Sequence, residues 1–182
     1  MQHAKEILIQ QMRSFSEFTE ALENAAHSAE VDALTGLASR AMGEAYLTAQ
    51  LGGERPTLAI LIDVNGLKQV NHRWGHAFGD QVLKSVAGSL AESSKRFSLL
   101  CRWEGGKFLM VSHAIPEVPE EEAATVRKRA SRRYNVSADG SPLEVDIGVS
   151  AGAAVAKEGD SVGDLIARAE SDLLRRRILG RA

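Results

Sequence analysis

The apolar positions of this chain change their period near residue 31. Residues 1–31 hold neither proline nor glycine and mix apolar residues with Glu, Gln, Lys and Ser, which suits one helix. Setting Leu8, Phe15, Leu22 and Ala29 at position a of a heptad puts Ala4, Gln11, Phe18 and Ala25 at position d, an incomplete but recognisable seam. Two readings fit: a coiled-coil stalk that pairs two copies of the chain, or an amphipathic helix packed on its own domain. We adopt the first, with a homodimer formed through the N-terminal helix.

Beyond the stalk the pattern alternates between strands and helices, so residues 32–182 are taken as one domain. Thr57–Val64, TLAILIDV, is aliphatic and β-branched but for Asp63, as a central strand buried on both faces should be. Gly79–Ala91 carries Val82, Leu83, Val86 and Leu90 at helical spacing and stops before the polar ESSKR. Phe97–Trp103 and Lys107–Ser112 read as two strands joined by a tight Glu104-Gly105-Gly106 turn. Pro116–Arg133 opens with prolines and acids and closes with bases, matching a helix dipole, so its basic run reads as a solvated helix end. Leu143–Val155 holds two short strands, with Gly148 and Gly152 as sites of a bulge or of close backbone approach. A last helix runs from Val162 to about Leu179. The pattern predicts an α/β domain with an antiparallel hairpin.

Charge narrows the function. The 22 basic and 24 acidic residues give a net charge of −2, so no global field draws the chain to nucleic acid or to an anionic membrane. Any nucleotide binding must be local. The longest aliphatic run, Leu58–Ile62, is far short of the roughly 20 residues that span a bilayer, and Met1 is not followed by a signal-peptide pattern. We expect a cytoplasmic protein with no membrane contact in this segment. The lone cysteine, Cys101, reads as a small buried strand residue.

Asp63–Asp80, DVNGLKQVNHRWGHAFGD, carries the candidate chemistry. An aspartate at a strand end can hold a divalent metal, and the turn Asn65-Gly66-Leu67-Lys68 presents backbone amides and a lysine to phosphate. Asn71 and Asp80 could read the Watson-Crick edge of guanine, since an amide and a carboxylate together donate and accept. The alternative has Asp63, Asn65 and Asp80 merely capping helices. Spacing alone does not separate the two.

Several segments in order resemble the GGDEF domain family, the diguanylate cyclases. Asp63–Asp80 is similar to the family's metal-binding Asp followed by D/N-x-F/L-K, N-D, G-H and G-D, with His72 replacing the Asp beside Asn71. Asp32–Arg40, DALTGLASR, resembles the opening D-x-LTGL-x-N-R, with Ser39 in place of Asn. Gly148–Val155 resembles the family's S-x-G strand, and LLRRRILGRA its closing Y-x-A-K-x-x-G-R-N. The resemblance implies a central, mostly antiparallel sheet flanked by helices, of the nucleotidyl-cyclase kind. It also implies a metal at Asp63 and the Val64 carbonyl, phosphates on Asn65, Gly66, Leu67, Lys68, Arg177 and Arg181, and guanine on Asn71 and Asp80.

The family signature R-x-G-G-(D/E)-E-F is degraded. Without gaps its last five positions read Glu104, Gly105, Gly106, Lys107 and Phe108, so Gly106 and Lys107 stand where the family has two acids. Shifting the glycines by one restores neither carboxylate. The family joins two GTP molecules with paired metals, and Asp63 alone is a poor cage for two hard cations. We therefore expect no catalytic residue here and at most one Mg2+ site, with the Lys107 ammonium taking a metal's place against phosphate. A neighbouring inhibitory product site, R-x-x-D in relatives, reads Lys95-Arg96-Phe97-Ser98. The function expected is a regulatory module of cyclic di-GMP signalling that binds GTP or a protein partner, beside other signalling domains. An active cyclase with an atypical signature is the alternative.

Overall fold

The computed structural model describes residues 30–138 and 141–179. The N-terminal stalk and Arg181 lie outside the described residues. In chain order the elements are α1 (Arg40–Leu51), β1 (Leu58–Val64), α2 (Leu67–Trp74), α3 (His76–Ser93), β2 (Leu99–Glu104), β3 (Lys107–Ser112), α4 (Pro119–Ala130), β4 (Arg132–Ala138), β5 (Ser141–Ile147), β6 (Val149–Val155) and α5 (Val162–Leu179). Four strands form one sheet in the order β2-β3-β1-β6, and β4-β5 is a separate hairpin. Every pairing between these strands is antiparallel.

Alternation along β1 divides the core. Leu58, Ile60, Ile62 and Val64 point to one face and pack with Phe78, Val82, Val86 and Leu90 of α3, with Val126 of α4, and with Tyr134 and Ile147 of the outer hairpin. Ala59 and Leu61 point to the other face, against Leu47 of α1 and Leu165, Ala169 and Leu173 of α5. A strand buried from both sides needs apolar residues at every position until its end, as TLAILIDV predicts. Cys101 is buried in β2, and that burial raises its thiol pKa to about 12, so it is inert.

Two elements escape the pattern. Helix α1 buries only Gly43 and Leu47, too few apolar positions to announce a helix, and its start is marked by the Ser39 hydroxyl accepting from Met42 N–H. Strand β4 begins directly after α4, so the closing Arg132 and Arg133 of the expected helix are strand residues instead. Ser131, extended at ψ 96°, ends the helix there. Tyr134 and Val136 alternate with exposed neighbours, a period-2 signal hidden behind the basic run. Among the described residues no helix is long and apolar enough to cross a membrane.

Gly152 fixes how α5 lies on the sheet. A Cβ at this position would collide with the backbone nitrogen of Leu173 and the carbonyl oxygen of Ala169, and would come within 2.6 Å of Leu173 Cα. Helix and strand touch backbone to backbone, so neither can yield as a side chain would. Gly152→Ala is expected to destabilise the domain by about 3 kcal/mol or more, read from urea unfolding; a loss under about 0.5 kcal/mol would show that α5 is not seated as described.

Candidate nucleotide-binding site

The site forms where three strands end beneath α5. Register sets Asp63 of β1 opposite Lys107 of β3 and opposite Ser150 of β6, so the three side chains form a row on one face. It is the face that bears Ala59 and Leu61, and therefore the face covered by α5. Glu170 and Arg177 of α5 are seven residues apart, two turns along one side of the helix, and both reach this row.

Arg177 is the cation on Asp63. Its Nη2 donates to Asp63 Oδ2 at 2.6 Å and to Asn65 Oδ1 at 2.9 Å, while Nε donates to Ser150 Oγ at 3.0 Å. Ser150 in turn donates to Asn65 Oδ1 at 2.8 Å. The side chains of Arg177 and Asp63 are only 26% and 22% exposed, so the pair is largely shielded from water. Lys107, expected to serve as the cation, is turned away: its ammonium lies 2.6 Å from Glu170 Oε1 and 3.0 Å from Glu104 Oε1. The hydrogen bond to Glu170 is the main cause of its raised pKa. These two acids draw the lysine from Asp63, and Arg177 takes the position instead.

Gly106 stands beside Asp63. A Cβ on Gly106 would lie 3.7 Å from Asp63 Oδ1, 3.6 Å from Val64 Cβ and 3.0 Å from Leu67 Cδ2. A carboxylate at position 106 would thus meet Asp63, which is what the ungapped reading of the signature requires. Glu104 cannot replace it. Its side chain is exposed and engaged with Lys107 and Arg40, and hydrogen bonding from Lys107 is the main cause of its lowered pKa. Among the described residues no group of three or more His, Cys, Asp or Glu converges to hold a metal. The donor set does not fit a pair of magnesium ions.

Backbone contacts hold the Asn65–Lys68 turn in place. Val64 N–H donates to Gly106 O at 3.0 Å and Asn65 N–H to Gly148 O at 2.9 Å, joining the ends of β1, the β2-β3 hairpin and β6. Gly66, at φ 72°, then turns the chain into α2 through a conformation that other residues rarely adopt. The side chains of Lys68 and Asp80 are exposed and make no hydrogen bond among the described residues. Asn71 lies against Gly79, where a Cβ would overlap its Oδ1, and that oxygen is buried with no partner. An orphan acceptor beside an exposed carboxylate suits a ligand that donates from two adjacent N–H groups, as the guanine edge does.

The hairpin is held from below. Arg102 donates to Gly105 O at 3.1 and 3.0 Å and to both oxygens of Asp32 at 3.2 and 3.3 Å. Asp32 closes its own turn by accepting from Thr35 N–H at 2.9 Å and Thr35 Oγ1 at 2.7 Å. The opening DALTG segment is therefore a bracket for the hairpin. At the segment aligned with the relatives' product site, where Lys95 and Ser98 replace the Arg and Asp, Arg96 is paired with Glu122.

Comparison with known proteins agrees with this fold. The sequence matches the family described as "Diguanylate cyclase, GGDEF domain" over residues 29–181. The chain belongs to the GGDEF family. It is 33% identical over 180 residues to the response regulator PleD of Caulobacter vibrioides, covering 88% of this chain and 36% of that protein. It is 31% identical over 173 residues to the diguanylate cyclase DgcM of Escherichia coli, covering 89% of this chain and 38% of that one. The chain thus spans well under half the length of these relatives. Among solved structures, the coiled coil and GGDEF domain of DgcB from Caulobacter crescentus, in complex with c-di-GMP, superposes with a TM-score of 0.81 at 25% identity, covering 97% of this chain and 95% of that one. The diguanylate cyclase SiaD of Pseudomonas aeruginosa, in complex with its activator SiaC, gives 0.67 at 29%, covering 96% and 68%.

Within this GGDEF domain, Asp63, Asn65 and Arg177 come together, and Gly66 and Leu67 line the same turn. Asn71 and Asp80 flank the α2-α3 junction. Ser150 and Glu170 were not singled out from the sequence. Ser150 could have been, since it lies two residues before Gly152 on the face that Asp63 shares. Gly79→Ala tests the base side: the added methyl must push Asn71 from its seat, while a helical glycine replaced by alanine gains about 1 kcal/mol in propensity. Titration calorimetry should show GTP binding weakened at least ~10-fold with the fold intact; unchanged binding would remove Asn71 from the site.

Proposed function

We propose that this GGDEF domain of cyclic di-GMP signalling binds guanine nucleotide without converting it, and acts as a regulatory module. The observation that carries this reading is the pair of contacts at Asp63. The neighbouring position that would supply a second carboxylate is Gly106, and the charge of Asp63 is met by Arg177. In the family reaction the 3′-hydroxyl of each GTP attacks the α-phosphorus of the other, a P–O bond forms and pyrophosphate leaves. That chemistry needs the hydroxyl activated and charge neutralised by divalent ions. A single shielded aspartate already engaged by arginine does not supply their ligands.

Binding is supported separately, by the orphan Asn71 oxygen, the exposed Asp80 and Lys68, and the turn at Asn65–Lys68. A protein partner is supported by the SiaD complex with its activator. We place the domain in the cytoplasm, where GTP is available, and take the input to arrive through the N-terminal segment, for which the coiled coil of the DgcB structure is the precedent.

Purified protein incubated with GTP and magnesium should yield no cyclic di-GMP and no pyrophosphate, with GTP bound in calorimetry. The loss of two charge-stabilising groups is worth on the order of 10²- to 10³-fold in rate each. Product formation at a rate typical of the family would overturn the reading, and absence of both product and binding would leave a scaffold. Gly106→Asp with Lys107→Glu is the matching gain of function: the Cβ added at position 106 fits if Leu67 shifts by a few tenths of an ångström, and turnover should appear.

A further inference from the structure

Next to the Asp63–Arg177 pair lies a cavity of about 290 Å³, walled by Asn65, Arg127, Ser150, Ala151, Arg176 and Arg177. It opens at the free edge of β6, between the C-terminal turns of α4 and α5, both of which carry bases. Three guanidinium groups thus converge on one hollow. The Arg127 guanidinium makes no hydrogen bond or ion pair among the described residues. Arg176 donates to Asp172 at 2.7 Å, but Arg175 donates to the same carboxylate at 2.6 Å, so one anion serves two cations. Arg177 shares Asp63 with no second acid. Positive charge exceeds negative charge on these walls.

The floor adds a backbone donor. Outward N–H groups alternate along the edge of β6, and two of them are capped by side chains: Val149 N–H by Ser131 Oγ at 3.0 Å and Ala153 N–H by Asp172 Oδ2 at 3.0 Å. Ala151, between them, points its N–H the same way, and no acceptor meets it among the described residues. The cavity therefore offers guanidinium forks above the buried Ala151 amide, and no carboxylate faces it unpaired. Such a site takes an anion with several oxygens.

We propose that Arg127 and Arg176 form, with Arg177, a polyphosphate clamp that holds the distal phosphates of the bound nucleotide by guanidinium groups rather than by divalent metal. This rests on the guanine-nucleotide reading above and extends it to a ligand class: nucleoside di- and triphosphates in preference to the monophosphate. Arg177 and Asn65 belong to both the phosphate turn and the cavity, so a chain of phosphates that leaves the turn enters the clamp.

The test is calorimetry in EDTA with three probes, GTP, GMP and inorganic tripolyphosphate, on the wild type and on Arg127→Ala and Arg176→Gln. Each variant is first checked for an unchanged thermal midpoint. GTP should bind without magnesium and GMP at least roughly tenfold more weakly, because charge-assisted contacts are lost. Each variant should weaken GTP and tripolyphosphate by roughly tenfold and leave GMP unchanged. If both variants bind both triphosphates like the wild type, the clamp is wrong and the nucleotide reading survives. If tripolyphosphate binds in an arginine-dependent way and GTP does not, the clamp stands and the guanine reading falls. Binding of neither triphosphate overturns the clamp.

Discussion

A half-buried carboxylate at the end of a central strand has to find positive charge, and how Asp63 finds it governs the rest of this site. Strand register leaves no freedom: Asp63 shares a row with Lys107 and Ser150 and faces α5. A nearby carboxylate at position 106 would double the negative charge and leave it for metal ions to neutralise. With glycine there, one guanidinium suffices. Two exchanged ion pairs, Asp63–Arg177 and Lys107–Glu170, then link β1 and β3 to the last helix. Partly exposed pairs add on the order of 1 kcal/mol each, so the seat of α5 is set mainly by Gly152 and the apolar stripe of Leu165, Ala169 and Leu173. The ion pairs decide what the mouth of the site presents.

The β2-β3 hairpin is built for shape as much as for chemistry. Gly105, at φ 51°, makes the turn, and a bulge between Arg102 and Glu104 lets Trp103 stay buried against Gly43 of α1. Arg102 ties the turn to Asp32, the first residue of the DALTG segment. Arg102 and Asp32 thus serve geometry. Two hydrogen-bonded side chains connect the turn to the DALTG segment.

Much of this fold was legible because its signals are local. TLAILIDV could only be a strand covered on both faces, and Val162–Leu179 is a helix with matching bounds. Helix α1 was not legible, because it makes contact through a glycine rather than a stripe of large residues, and β4 was masked by the bases that close α4. The site divides the same way. Asp63, Asn65 and Asn71 follow from one contiguous segment, whereas the partner of Lys107 depends on which residue of α5, 63 positions later, arrives above β3. The row on one face was implicit in strand alternation, but the covering helix was not. Arg127 lies in no motif, and Arg176 sits within LLRRRILGRA with no role implied for it; only the approach of two helix ends brings them together.

Exchanging a metal for a guanidinium separates binding from turnover. Arginine stays charged at every physiological pH and offers a planar fork of donors, so it can hold phosphate oxygens through charge-assisted hydrogen bonds. It cannot coordinate a hydroxyl oxygen and lower its pKa, which is the part of metal catalysis that makes a nucleophile. Nor can it take up the proton that the hydroxyl must lose. A pocket rich in arginine and poor in carboxylate can therefore bind a triphosphate without activating the hydroxyl that would attack its α-phosphorus. On the reading proposed above, Gly106 beside Asp63 and the arginines at the ends of α4 and α5 belong together: charge that the family supplies through exchangeable ions would here be carried by the chain.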